Sequence, residues 1–144
     1  MADYIPTPVK WVREHVELYE GSGGKQGASL GEGGVACIIV THTGNKTGAI
    51  RKTPLIRVSD GSNYILVGSM GGAPKNPVWV YNLRASADVE IRDATEVHKM
   101  RVREVDDADE RARVWALAVE AFPDYQEYQD KTSRTIPVFI ATPV

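Results

Sequence analysis

The period of the apolar positions changes along the chain and marks its elements. Ile5, Val9, Val12, Val16 and Tyr19 recur at three- and four-residue spacing, which predicts an amphipathic helix. Thr7-Pro8 supplies its start, a capping hydroxyl followed by proline at the first helical position, and Gly21 its end. Residues 35–42 form a nearly unbroken apolar run of the buried-strand type. The turn 43–48 leads to a second strand over 49–58, and the turn Ser59-Asp60-Gly61-Ser62 leads to a third over 64–69. Short turns predict that these three strands pair antiparallel in sequence order.

A Gly/Pro-rich break over 71–77 precedes a short helix over 78–85, then a hairpin of two strands, 88–93 and 96–105. A helix follows through residue 121, opened by Asp106 and Asp107, with Asp107 and Glu110 spaced as a capping box. Its predicted apolar stripe is Ala108, Ala112, Trp115, Val119 and Phe122. Residues 123–131 add a helical turn or two, and 135–142 a last strand. Hairpin-linked strands with few crossovers predict a β-rich α+β fold, an antiparallel sheet or small barrel with peripheral helices.

At 144 residues, 42% hydrophobic and 25% charged, the chain has the size and composition of one globular domain. Seven of the thirteen glycines fall within residues 21–34, which predicts a connector or flap there, without packed helix or strand. The single Cys37 excludes an internal disulfide and lies in an apolar run, the setting of an inert core thiol. No signal peptide and no run near the ~20 residues that span a bilayer are present, so a cytoplasmic protein is expected.

The net charge of −2 is unevenly spread. Residues 35–87 carry six bases (Lys46, Arg51, Lys52, Arg57, Lys75 and Arg84) against Asp60 as the one acid, whereas residues 106–144 carry four bases and eight acids. A local excess of +5 in a slightly acidic chain suits a confined anion site and not a nucleic-acid surface. Common catalytic strings fail: no Walker loop, no G-x-G-x-x-G after a strand, no G-x-S-x-G. His15, His42 and His98 share no ligand spacing, so no metal site is expected.

Two loops and one aromatic cluster remain. Lys46 and Arg51 bracket a Gly-containing turn, where two cations could clamp an anion. Ser69, Gly71, Gly72, Lys75 and Asn76 form a polar, Gly-containing stretch leading into a helix N-terminus. Phe122, Tyr125 and Tyr128, three residues apart, stack near one helix face. Ordinary turns and core tyrosines would give the same pattern; a phosphate clamp beside an aromatic wall would suit a planar heterocycle with an anionic tail.

The string Thr41-His42-Thr43-Gly44-Asn45-Lys46-Thr47-Gly48, followed by Arg51 and Pro54-Leu55, resembles the T-T-G-R-K-S-G…R…P-L signature of the deazaflavin-dependent nitroreductase family. Ser69…Gly71-Gly72-Ala73-Pro74-Lys75-Asn76-Pro77-Val78-Trp79 resembles its S-K-G-G-x-x-K-N-P-x-W block, and Tyr125-Gln126-Glu127-Tyr128-Gln129…Arg134-Thr135-Ile136-Pro137 its Y-Q-x-Y-Q…R-x-I-P ending. The blocks occur in family order over residues 41–137.

The resemblance implies a split β-barrel like that of FMN-binding flavin reductases. Residues 35–144 would form the barrel of a single domain, and residues 1–34 a helix and Gly-rich flap. It implies coenzyme F-420, an 8-hydroxy-5-deazaflavin with a phosphate and an oligoglutamate tail, and hydride transfer to a quinone or nitroaromatic compound. Thr43, Gly44, Asn45, Lys46, Thr47 and Arg51 match the phosphate and tail contacts. Ser69, Met70, Gly71, Gly72, Lys75, Asn76 and Pro77 match the coenzyme's polar side, and Val78 and Trp79 its ring pocket. Tyr125, Tyr128 and Ser69 match the catalytic side, with Tyr125 as proton donor. Met70, Val78 and Phe122 depart from the family's common lysine, methionine and tyrosine, which favours a quinone over a nitro compound as acceptor.

The alternatives are a non-catalytic binder of the deazaflavin or another planar ligand, and an FMN-dependent reductase. A monomer or homodimer is expected, and the first helix would lie either over the pocket or on the inner face of the plasma membrane, since quinones are lipid-soluble.

Overall fold

A computed structural model describes residues 3–30 and 34–144. Among the described residues the four predicted helices and six predicted strands occur in the predicted order, and two short strands that were not predicted, Ser29–Leu30 and Ser59–Asp60, are added. The chain runs α1 (Lys10–Gly21), β1 (Ser29–Leu30), β2 (Val35–Thr43), β3 (Ile50–Ile56), β4 (Ser59–Asp60) and β5 (Asn63–Val67). A 3-10 turn (Met70–Gly72) leads to α2 (Val78–Ala85), then β6 (Asp88–Asp93), β7 (Glu96–Glu104), α3 (Ala108–Ala121), α4 (Asp124–Lys131) and β8 (Val138–Pro143). The curled sheet has the order β1-β2-β6-β7-β8-β5-β4, with β3 also paired to β2, and every strand pairing is antiparallel.

The topology corrects one expectation. β2 and β3 form the predicted hairpin, but β5 pairs with β8 and β4, not with β3. The chain leaves the β3 register after Ile56, and the turn at residues 61–62 closes the small β4–β5 hairpin on the far edge of the curl.

β2 shows why its apolar run is unbroken. Cys37 and Ile39 face Val16 and Tyr19 of α1, while Ile38 and Val40 face Trp79, Val80 and Leu83 of α2. A strand covered on both faces has no solvent side on which to alternate. A separate apolar cluster joins Ile65, Val67, Ile136, Val138 and Ile140 to Val114, Ala118 and Tyr125 of α3 and α4. The α3 stripe is therefore Val114 and Ala118, with Trp115, Val119 and Phe122 at its margin; Ala108 and Ala112, expected in it, are exposed. Asp107 caps α3 as predicted, its Oδ2 accepting from the Glu110 N–H at 2.9 Å.

Helix α1 begins at Lys10, three residues after Thr7, whose Oγ1 accepts only from the Val9 N–H. Of its predicted stripe only Val16 and Tyr19 are buried; Ile5 and Val9 remain exposed. Glu20 locks the helix to the sheet by accepting from both Lys52 on β3 and Arg92 on β6. The Gly-rich segment, whose residues 31–33 lie outside the described residues, is packed at Gly24 on the β6–β7 turn and at Ser29–Leu30 on β2. Gly24 lies so close to the β6–β7 turn that a Cβ would come within 1.6 Å of the Ala94 carbonyl oxygen. Ser29 and Leu30 pair with β2, so this stretch does contribute a strand, against expectation.

Candidate active site

The register of β2 and β3 sets His42 opposite Arg51 and Val40 opposite Thr53. Alternation along each strand then turns His42, Arg51 and Thr53 to the sheet face that carries α2. There they line a groove of about 310 Å³ with Val78, Trp79 and Asn82 of α2, rimmed by Thr7 and Pro8. That volume lies in the range of small-molecule sites. Trp79 forms one wall and is held by Phe139, ring centroids 5.9 Å apart. The N-terminal segment is fastened beside the groove: the Ile50 N–H donates to the Asp3 carbonyl at 2.8 Å, and Arg51 Nη1 to the Ile5 carbonyl at 2.9 Å.

The groove floor is a buried polar relay. The Asn45 N–H donates to Asn82 Oδ1 at 2.9 Å, Asn82 Nδ2 lies 3.2 Å from His42 Nδ1, and His42 Nε2 lies 3.0 Å from Thr53 Oγ1. Burial, and after it the charge of Arg51, pushes the His42 pKa down to about 4, so the ring is neutral at physiological pH.

The turn between β2 and β3 closes on itself: the Gly44 N–H donates to the Ala49 carbonyl, the Gly48 N–H to the Gly44 carbonyl, and the Ala49 N–H to Thr47 Oγ1. Gly48 takes a φ of +72°, which suits glycine. Lys46 is exposed at the tip of this turn, while Arg51 lies in the groove and spends a donor on the N-terminal segment. The two cations expected to clamp one anion thus occupy different levels of the site, and the Asn45–Asn82 bond ties the turn to α2.

The second loop is organised by Arg134. Its guanidinium donates to the carbonyls of Gly68, Ser69 and Ala73 and to Asn76 Oδ1, at 2.7–3.1 Å. Met70, Gly71 and Gly72 all take positive φ. A Cβ on Gly72 would come within 2.7 Å of the Tyr128 carbonyl oxygen, so this loop rests directly on α4. Met70 and Lys75 are exposed, Val78 is 72% exposed, and Pro77 is the N-cap of α2.

The three aromatics cluster, with Phe122–Tyr125, Phe122–Tyr128 and Tyr125–Tyr128 centroids 5.0, 6.0 and 6.4 Å apart, but not on one helix face as expected: Tyr125 and Tyr128 lie on α4, whereas Phe122 is the extended C-cap of α3. Tyr125 is 4% exposed, and burial, then the neighbouring Tyr128, raises its pKa well above the usual phenol value. Tyr128 is half-buried. Phe122 also lines a second cavity, of about 540 Å³, with Trp11, His15, Leu30, Val35 and Ile56.

Residues 11–143 match the model of a family described as F420H(2)-dependent quinone reductase. This chain belongs to that family. An F420H(2)-dependent quinone reductase of Mycobacterium tuberculosis (strain H37Rv) is 35% identical over 136 residues, covering 93% of this chain and 91% of the relative. Among solved structures, an F420-H2 dependent reductase designated FDR-A is 44% identical with a TM-score of 0.69, over 74% of this chain and 93% of that one. A second, described as a domain-swapped dimer, is 40% identical with a TM-score of 0.72, over 94% of this chain and all of that one. The split-barrel expectation stands on this likeness, and the family's members are oxidoreductases named for reduced coenzyme F-420 as donor.

In this chain the expected loops converge on α2. The turn 43–48 is bonded to Asn82, and the loop 68–77 runs straight into the helix N-terminus. Sequence reasoning passed over His42, Thr53 and Asn82, and quoted Arg134 without a role. The first three carry a signal in retrospect: His42 is a polar residue inside an apolar strand, and a buried polar group must find partners. Arg134, in a link between helix and strand, carries none.

Proposed function

We propose that this chain binds reduced coenzyme F-420 in the groove between β3 and α2 and reduces a quinone. One observation carries the reading: the turn 43–48 is bonded through Asn45 to Asn82, the loop 68–77 leads into Val78, and Asn82, Val78 and Arg51 line one groove with a polar floor and an aromatic wall. The residues fit the coenzyme. Arg51, Lys46 and Lys75 offer cations to an anionic tail, the α2 N-terminus offers unpaired N–H groups, and Trp79 offers a flat wall. When bound, the reduced coenzyme supplies the hydride; the protein supplies orientation and charge.

Hydride transfer needs the acceptor in contact with the coenzyme ring, so the quinone is assigned to the side of the loop 68–77, where Gly72 packs against Tyr128. A quinone that gains a hydride also needs one proton to become a quinol. Tyr128 is the donor we assign, since it is half-buried beside Gly72, whereas Tyr125 is buried beneath it as wall. Ser69, 9% exposed at the start of the 3-10 turn, accepts through its backbone carbonyl from Arg134 and from the Gly72 N–H. Nitro compounds are a second acceptor class for the same position.

Trp11, 62% exposed, shares one face of α1 with the exposed Leu18, seven residues on. That apolar face supports peripheral contact of a cytoplasmic protein with a membrane holding the quinone. No helix among the described residues is long and apolar enough to cross a membrane. The domain-swapped relative supports a homodimer as the assembly. Competitive titration of coenzyme F-420 against FMN, followed by fluorescence, tests the cofactor assignment: tighter binding of the deazaflavin is expected, and tighter binding of FMN overturns it.

A further inference from the structure

The relay on the groove floor has a fixed direction of donation. A backbone N–H can only donate, so the Asn82 atom that meets the Asn45 N–H is its carbonyl oxygen. The other Asn82 atom is then the NH₂ group, which donates to His42 Nδ1. A neutral imidazole accepting at Nδ1 carries its proton on Nε2. That proton points to Thr53 Oγ1, 3.0 Å away. Thr53 is therefore an acceptor toward His42, and its own hydroxyl proton is left over. Among the described residues no acceptor within the protein takes it, and Thr53 lines the groove.

We infer that Thr53 is a specificity-determining residue that donates a hydrogen bond into the groove and selects ligands presenting an acceptor, a carbonyl oxygen or unprotonated ring nitrogen, on the edge that faces β3. His42 and Asn82 are positioning residues: they act through Thr53 by fixing the direction of its hydroxyl. Asn45 reads the relay out to the turn that carries Lys46, so the hydroxyl direction and the turn position are set together. His42 is 4% exposed and Asn82 3%, so water does not scramble the tautomer. The identity of the groove ligand as the deazaflavin rests on the proposed function.

The test is titration of the purified chain with oxidised coenzyme F-420, comparing wild type, Thr53→Val and Thr53→Ser. Loss of one hydrogen bond predicts about tenfold weaker binding for Thr53→Val, and Thr53→Ser within about twofold of wild type. Equal binding by wild type and Thr53→Val overturns this inference while leaving the coenzyme assignment standing; a wild type that does not bind at all overturns the coenzyme assignment itself. A second measurement needs no variant and no ligand. Long-range ¹H–¹⁵N correlation of the His42 ring is expected to show the proton on Nε2, and a proton on Nδ1 overturns the relay.

Discussion

Arg134 donates to Asn76 Oδ1 at 2.9 Å while its remaining N–H groups hold the carbonyls of Gly68, Ser69 and Ala73. One side chain near the end of the chain thus sets the path of the loop that feeds α2. A planar fork with five donors can meet four acceptors at once; a lysine ammonium cannot. Arg134→Ala leaves several part-buried carbonyls unpaired and is expected to cost about 2–4 kcal/mol. Arg134→Lys is expected to keep the fold but weaken coenzyme binding about tenfold or more. Denaturant unfolding and fluorescence titration check the two numbers, and unchanged coenzyme affinity in Arg134→Lys would remove the loop from the binding site.

Gly71 and Gly72 make a matched pair. Both have positive φ, but a Cβ on Gly71 meets open space, whereas one on Gly72 runs into the Tyr128 backbone. Gly71→Ala is expected to cost about 1–2 kcal/mol from backbone strain alone. Gly72→Ala adds a steric term of about 1–3 kcal/mol and pushes the loop off α4. Only Gly72→Ala is expected to slow quinone reduction in proportion beyond its loss of stability. Equal activity in the two folded variants would show that the contact between loop and α4 does not matter to function.

His42 gives the stability a pH dependence of known sign. Its folded pKa is about 4, against 6.5 for an ordinary histidine, because burial disfavours the charged ring. Between these values the unfolded chain binds the proton and the folded chain does not, so stability rises as pH rises from about 4 to 6.5 and the contribution is flat above. The span corresponds to about 3 kcal/mol at most. Unfolding free energies at successive pH values should show this slope in wild type and a smaller one in His42→Gln. Glu20 adds in the same direction but at lower pH. Its burial would raise its pKa, yet bonds to Lys52 and Arg92 outweigh that and hold it below the usual value, so its contribution is lost only as pH falls through that depressed range.

The two tyrosines of α4 separate by exposure. Tyr128→Phe is expected to lower kcat about 10²-fold for a quinone, the ordinary size of a general-acid term, and to leave coenzyme affinity near wild type. Tyr125→Phe is expected to change kcat little, because Tyr125 is buried among Val114, Ala118 and Ile136. Steady-state kinetics with one quinone decide it, and the reverse order of effects would return the donor role to Tyr125.

Most of the fold was legible because period and turn chemistry report local structure. The two-faced burial of β2, the Asp107 cap and the β6–β7 hairpin all follow from near neighbours in sequence. The pairing of β5 with β8 was not legible, since it joins residues about seventy apart through a register that no turn specifies. The fate of residues 22–30 was not legible either, because their packing depends on a collision avoided between Gly24 and the distant Ala94.

The candidate site divides the same way. Its loops could be read from glycine, lysine and proline spacing. The groove floor could not, because His42, Thr53 and Asn82 become neighbours only through the β2–β3 register and the placement of α2.

Hydride transfer from reduced coenzyme F-420 to a quinone is the activity on which the other assignments rest. The direct measurement mixes the purified chain anaerobically with the reduced coenzyme and a soluble quinone and follows coenzyme reoxidation. Reoxidation that needs both chain and quinone and saturates in each substrate is expected. Reoxidation no faster than in the absence of the chain, across a panel of quinones, would contradict it.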